Sequence, residues 1–234
     1  ITYLELLWMN DKSLEFQVAK LRAYLELVAR RRVRARLVPD AVELLEPARP
    51  CFGPPEREGA WRPMALRAQW GARGQWAWFR ARARVPEHWR GGAVKWALHH
   101  EPFYFETPSH AHWPAGPEGQ AFVNGQRVGG LDREHHALVY PFHPGREYEL
   151  AATFFAGRNN CRHMLKDFSL RWVDTATEKL YYDLKVALDM ADVLPEASLT
   201  RRRIVEAVDE AVRALDVRAT FRENHALLSE QYDP

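Results

Sequence analysis

The sequence predicts a mainly β protein: an antiparallel β-sandwich of the jelly-roll type, with an N-terminal helix and a C-terminal helical connector. Three observations carry this expectation. All thirteen glycines and most prolines fall between residues 44 and 173. Within that span, short runs rich in aromatic and β-branched residues follow one another without an intervening helical pattern, as in sandwiches and jelly rolls. On either side the apolar residues repeat with a helical period instead.

The first helix is expected from Ser13 to about Val33. Leu14, Val18, Leu21, Leu25 and Val28 form one stripe, Ser13 is a candidate N-cap, and Pro39 lies beyond the far end. The stripe is close to a heptad, but two heptads are too few for a coiled coil, so packing on the rest of the molecule is expected. The basic run Arg30 to Arg36 is expected to end this helix, where cations oppose the negative end of the dipole.

In the central region, Trp76 to Val85 alternates from Trp78 onward, as does a strand with one wet face. Further strands are expected at Ala93–Leu98, Ala137–Tyr140, Glu147–Phe155 and Phe168–Val173. Gln120 to Val128 contains Asn124-Gly125 between apolar flanks, the preferred pair for a two-residue hairpin because both positions need positive φ. From about Glu178 the period is helical again. Tyr181, Leu184, Leu188 and Ala191 share one face, and Ile204, Val208, Val212 and Leu215 share another, with Ser198 or Thr200 as cap. The expected division is therefore 1–43 helical, 44–175 sandwich and 176–234 helical connector.

Composition excludes several classes. Thirty-three basic and thirty-one acidic residues leave a net charge of +2, so no global field draws nucleic acid or an anionic membrane. Cys51 and Cys161 are far apart and form no metal or disulfide framework, which fits a reducing, cytoplasmic setting. No apolar run reaches the roughly 20 residues that span a bilayer. The first residue is Ile1 and no closing element follows Leu228, so a fragment of a longer protein is expected.

Three segments carry a resemblance. Trp76-Ala-Trp-Phe-Arg80 with Val85-Pro-Glu-His-Trp89 resembles the opening strands of ancillary domains in glycoside hydrolases. The stretch from Pro117 to His135 has Glu118, Val123, Gly125, Gly130, Leu131, Asp132 and His135 at the spacing seen in α-mannosidases of glycoside hydrolase family 38, vacuolar and bacterial branch. Tyr181 to Pro195, with the helix ending at Asp216, is similar to the connector after that domain. The resemblance implies a galactose-binding-like sandwich and a non-catalytic N-terminal module of an α-mannosidase. It also implies a partner in the parent's own catalytic domain, where the zinc and the nucleophile belong.

No catalytic residue and no metal ligand is assigned within this chain. His110-Ala-His-Trp113 lacks the Asp of the family's zinc segment and is followed by Pro114. His110 and His112 share a face if extended, but no third ligand stands at a fixed spacing. Surface histidines are the expected outcome, and a metal-dependent hydrolase built on them is the weakest alternative. Candidate sugar-binding residues are Asp132 and His135 after the hairpin and the aromatic faces of Trp76 and Trp113. Trp70, Trp78, Trp89 and Trp96 could join those two in a stacking platform, but plainer roles stand against these: Asp132 capping a turn, His135 bonding backbone, and most of the six tryptophans as core, Trp78 and Trp96 lying within strand-like runs. The alternative function is a free-standing carbohydrate-binding module with mannose-containing glycans as partners. A homo-oligomer stays open.

Overall fold

The computed structural model describes residues 3–51, 53–55, 60–103, 117–158 and 162–215. The expectations placed on His110, His112, Trp113 and Cys161 lie outside these residues. The chain divides into two compact units: the sheets from Arg34 to Val173, and the helices on either side of them in sequence.

Two antiparallel sheets make up the central unit. The first runs β1 (Val33–Leu37), β11 (Arg162–Val173), β6 (Ala93–Phe103), β9 (Ala137–Val139), with β4 (Gln69–Trp70) also on β11. The second runs β3 (Arg62–Pro63), β2 (Val42–Leu45), β5 (Trp76–Arg84), β10 (Glu147–Phe155), β7 (Glu118–Val123), β8 (Gln126–Leu131). From β4 onward the chain passes from one sheet to the other at almost every connection, the mark of the jelly-roll family.

The inner faces follow from period-2 alternation. Ala77, Phe79, Ala81 and Ala83 of β5 and Tyr148, Leu150, Ala152 and Phe154 of β10 face Val94, Trp96 and Leu98 of β6 and Leu165, Phe168 and Leu170 of β11 in one core. Each large side chain so buried contributes about 1.5–3 kcal/mol. Trp70, which the sequence left open as a sugar platform, lies in this core at 2% exposure. Its indole Nε1–H donates to His100 Nδ1 at 2.9 Å, and its ring meets Phe79 edge to face at 5.1 Å. The buried His163 ring donates from Nε2 to the Ala156 carbonyl at 2.7 Å.

Two strands are longer than expected, each for its own reason. β11 carries a bulge between Leu165 and Asp167, so its core residues switch from Leu165 to Phe168 and break the alternation. β6 continues past Leu98 through His99-His100-Glu101, whose polar character hides that His100 is an inward position. On the outer face of this sheet Asp167 is nearly buried, bonded by Arg36 at 2.5 Å and by Arg171. Burial opposes ionisation of Asp167, but the bonds from the two arginines outweigh it and hold the carboxyl below its usual range.

The hairpin forms as expected. Asn124 and Gly125 have φ of 50° and 78°, the positive values of a type I′ turn. The Asn124 side-chain oxygen also accepts the Glu149 N–H at 2.9 Å, which ties the turn to β10. Gly119 allows β7 to lie close to β10, because a Cβ there would come within 2.4 Å of the Thr153 carbonyl.

In the helical unit, α1 (Tyr3–Arg31), α2 (Thr175–Val193) and α3 (Leu199–Arg213) share a core of Leu14, Leu21, Leu25, Leu184, Leu188, Ala191, Val205, Val208 and Val212. Ser198 caps α3 as expected, and Asp174, not anticipated, caps α2 by accepting from Thr177 N–H at 2.8 Å. Arg22 bridges Asp189 and Asp192 at 2.8 and 2.5 Å. The Asp174 N–H donates to the Arg32 carbonyl at 2.8 Å, so the two ends of this unit's break in sequence meet.

Two expectations at the N-terminus are corrected. α1 begins ten residues before Ser13, since the chain ahead of it contains no glycine or proline to stop a helix, and Ser13 is interior rather than a cap. The basic run is only half a helix end: Val33–Leu37 is a strand in which Arg34 and Arg36 are exposed while Ala35 and Leu37 pack on the core. The sheet unit therefore reaches back to Arg34, ahead of the expected boundary at 44. Among the described residues no helix is long and apolar enough to cross a membrane.

Burial depresses the basicity of His100 strongly, with His163 and His99 adding to it, and burial also lowers His163 against the opposing bond to Ala156. Both imidazoles fold neutral, while in the unfolded chain they bind protons below about pH 6.5. Stability of the sandwich is therefore expected to be full above pH 6.5 and to fall as pH drops below it. Thermal melts between pH 7.5 and 5 check this, and a flat midpoint would contradict the buried neutral pair.

Candidate functional site

The sequence-predicted residues separate into two places. Asp132 follows β8 directly and turns the chain toward β9. Its Oδ1 accepts the backbone N–H of Glu134 at 2.8 Å and of His135 at 2.6 Å, while the His135 ring nitrogen Nδ1 lies 2.9 Å from Oδ2. The Asp132 N–H closes the loop on the His135 carbonyl at 3.1 Å. This is an Asx-type turn in which the side chains satisfy each other. His135 is bonded by a carboxylate rather than by the backbone acceptor expected of it. The hydrogen bond from Asp132, then its charge, raises the His135 pKa, and the bond from His135, then backbone N–H groups, lowers that of Asp132.

Trp76 opens β5 on the outer face of the second sheet, half-buried, its ring 5.2 Å from that of Phe155. The register aligns Trp76 with Phe155, Phe155 with Glu118, and the neighbouring Gly119 with Leu131. Asp132 thus sits at the same end of the sheet as Trp76 but three strand spacings away, about 14 Å. The structure does not gather Asp132, His135 and Trp76 into one pocket. Trp78, Phe122 and Ala151 form a small buried cluster beside Trp76, with Leu45 and Trp61 packed on it. Within it Thr153 is 2% exposed, and among the described residues its hydroxyl has no hydrogen-bond partner.

Farther along the same face, residues that the sequence did not single out build a polar groove of about 500 Å³. Arg80, Arg82 and Arg84 point outward at alternate positions of β5, facing Glu43 and Asp40 on one side and Glu147 and Glu149 on the other. Arg84 pairs in register with Glu147 and Arg82 with Glu149. Arg80 is committed: its Nε–H donates to Glu43 Oε2 at 2.6 Å, and its guanidinium lies 4.0 Å from the centre of the Trp61 ring. Arg82 and Arg84 are exposed. A second hollow lined by Arg82, Glu147, Glu149 and the Asn124-Gly125 turn continues the groove across the sheet. The alternating arginines of β5 and glutamates of β10 were visible signals, but their juxtaposition depends on a pairing between strands far apart in sequence.

Among the described residues no three His, Cys, Asp or Glu side chains converge as a metal site. No protein-family profile matches the sequence, and no curated protein matches it. Among solved structures it is similar to a β-glucuronidase of Faecalibacterium prausnitzii, with a TM-score of 0.38 and 11% identity over 60% of this chain and 32% of that one. It is also similar to a β-D-glucuronidase of Dictyoglomus thermophilum (TM-score 0.35, 11% identity, 53% of this chain, 20% of that one). A third is a calcium-binding mutant of Bacteroides uniformis β-glucuronidase 2 (TM-score 0.35, 17% identity, 58% of this chain, 18% of that one). The chain thus spans at most 32% of the length of these proteins.

Two outcomes are expected. The raised His135 pKa makes its share of the turn's stability present below its ordinary 6.5 and lost as pH rises through the folded value. The lowered Asp132 pKa works in the other direction: its share is present above the ordinary 3.8 and lost as pH falls through the folded value. An NMR titration is expected to place His135 above 6.5 and to return it to about that value in Asp132→Asn; an unchanged midpoint in the variant would break the assignment. Removing the unpartnered hydroxyl in Thr153→Val is expected to stabilise the chain by about 1 kcal/mol in urea denaturation, whereas a loss would show that the hydroxyl has a partner.

Proposed function

We propose that the chain is a non-catalytic β-sandwich module of a glycoside hydrolase and, more narrowly, the N-terminal part of an α-mannosidase resembling glycoside hydrolase family 38. One observation carries the reading: the longer segments behind the resemblance serve as framework. Pro117 to His135 is the β7–β8 hairpin with its closing Asp132–His135 turn. Val85 to Trp89 joins β5 to the rest of the sandwich: the Val85 N–H donates to the Arg146 carbonyl at 2.9 Å, and Trp89 is buried and stacked on Trp172. Tyr181 to Pro195 is most of α2 with its C-terminal stop, its apolar stripe in the helical core.

Residues that build a scaffold in this manner fit a module that shapes or shields the rim of an active site whose zinc and nucleophile belong to another domain of the parent. The full-length partner is then the parent's own catalytic domain, acting on α-mannosides.

Turnover of an aryl α-mannoside tests the proposal, measured on the natural gene product and on the 234-residue chain in parallel. The expected result is hydrolysis by a gene product longer than this chain, abolished by a zinc chelator, and none by the chain itself. Zinc-dependent turnover by the 234-residue chain would overturn it.

A further inference from the structure

Resting on the reading of the chain as a non-catalytic module of a glycoside hydrolase, we propose that the groove on the outer face of the second sheet binds a neutral oligosaccharide. A sugar hydroxyl both donates and accepts, and neighbouring hydroxyls on a pyranose present both roles side by side. The groove is built to match. Guanidinium groups only donate and carboxylates only accept, and here the two alternate across a strand pair, Arg84 beside Glu147 and Arg82 beside Glu149. Successive pairs repeat every second residue, about 7 Å along the strand. The Asn124 turn extends the same wall, and at the other end Arg80 is held in place by Glu43 and by the Trp61 ring beneath it.

Competing ligands fit less well. Four carboxylates, Asp40, Glu43, Glu147 and Glu149, line the groove with three arginines, so a polyanion meets no excess of positive charge. A divalent cation lacks its ligand set, since no three acidic or histidine side chains converge among the described residues. An added peptide strand needs a sheet edge, whereas the groove crosses a sheet face over β2, β5 and β10. A second copy of the chain could set arginines against glutamates, and the experiment separates that case.

The 234-residue chain is titrated by calorimetry with mannotriose, cellotriose and trigalacturonate, alongside Arg82→Ala and Glu147→Gln. Both substituted side chains are exposed, and circular dichroism confirms that the variants fold. The expected result is binding of a neutral trisaccharide, weakened at least tenfold in each variant, with trigalacturonate bound no more tightly. Variants that bind the neutral sugar as the parent does would overturn the groove while leaving the module reading intact. Preferential binding of trigalacturonate would overturn it. So would the absence of any sugar binding, whether sedimentation finds a monomer or a dimer that Arg82→Ala dissociates. The mannoside turnover of the natural gene product stands or fails independently of these results.

Discussion

Trp70, Phe79, His100 and Phe154 meet between the two sheets in edge-to-face and tilted contacts, with ring centres 4.4–6.1 Å apart. This dry layer decides how the sandwich is built. β4 contributes Trp70, β5 Phe79, β6 His100 and β10 Phe154, so four strands from both sheets are located by one set of rings. Histidine belongs there only as a neutral ring, and the Trp70 N–H supplies the bond that its Nδ1 needs. Phenylalanine at 100 would fill the space but strand the indole donor.

Once the inner faces are fixed, the pleat leaves no choice about the outer ones. The residues between Phe79, Ala81 and Ala83 must face away from the core, and they are arginines. The residues between Tyr148, Leu150 and Ala152 must do likewise, and Glu149 and Ala151 are there. The register between β5 and β10 then sets guanidinium beside carboxylate along the strand pair. Opposite charges set side by side on an exposed surface contribute little to stability, typically about 0–1 kcal/mol. Their regular spacing is better understood as a surface pattern than as a fastening.

Legibility followed locality. Glu147–Phe155 was readable end to end because charged Glu147 marks its start and the apolar and aromatic run from Leu150, buried on both faces as far as Phe154, contains no glycine or proline. The Asn124-Gly125 turn was readable because its geometry depends on two adjacent residues. β11 was half readable, since the bulge at Lys166 resets the alternation midway. β1 was concealed by its arginines, whose charge suggested a helix end although Ala35 and Leu37 keep a strand's period. Of the candidate site, the turn role of Asp132 was anticipated from residue type, as Asp accepts backbone N–H groups two and three residues on. The groove was not, because Arg82 and Glu149 are brought together only by a pairing that spans about half of the sandwich in sequence. Trp61, in a segment without periodic pattern, gave no signal at all.

α1 completes its core with α2 and α3, yet some 140 residues separate Arg31 from Thr175. The sandwich is therefore an insertion in a helical domain, entered and left at adjacent points held by the Arg32–Asp174 bond. A chain leaving the ribosome must hold the stripe of Leu14, Leu21 and Leu25 without its partners until the whole insertion has been made. At about 5–20 residues per second that wait lasts on the order of ten seconds, far longer than a hairpin takes to form. A sandwich that folds during this interval brings its ends together and shortens the effective loop that α1 must close. The order of synthesis thus gives the β unit time to fold before α2 and α3 exist, and a folded β unit lowers the entropic cost of bringing α1 to them.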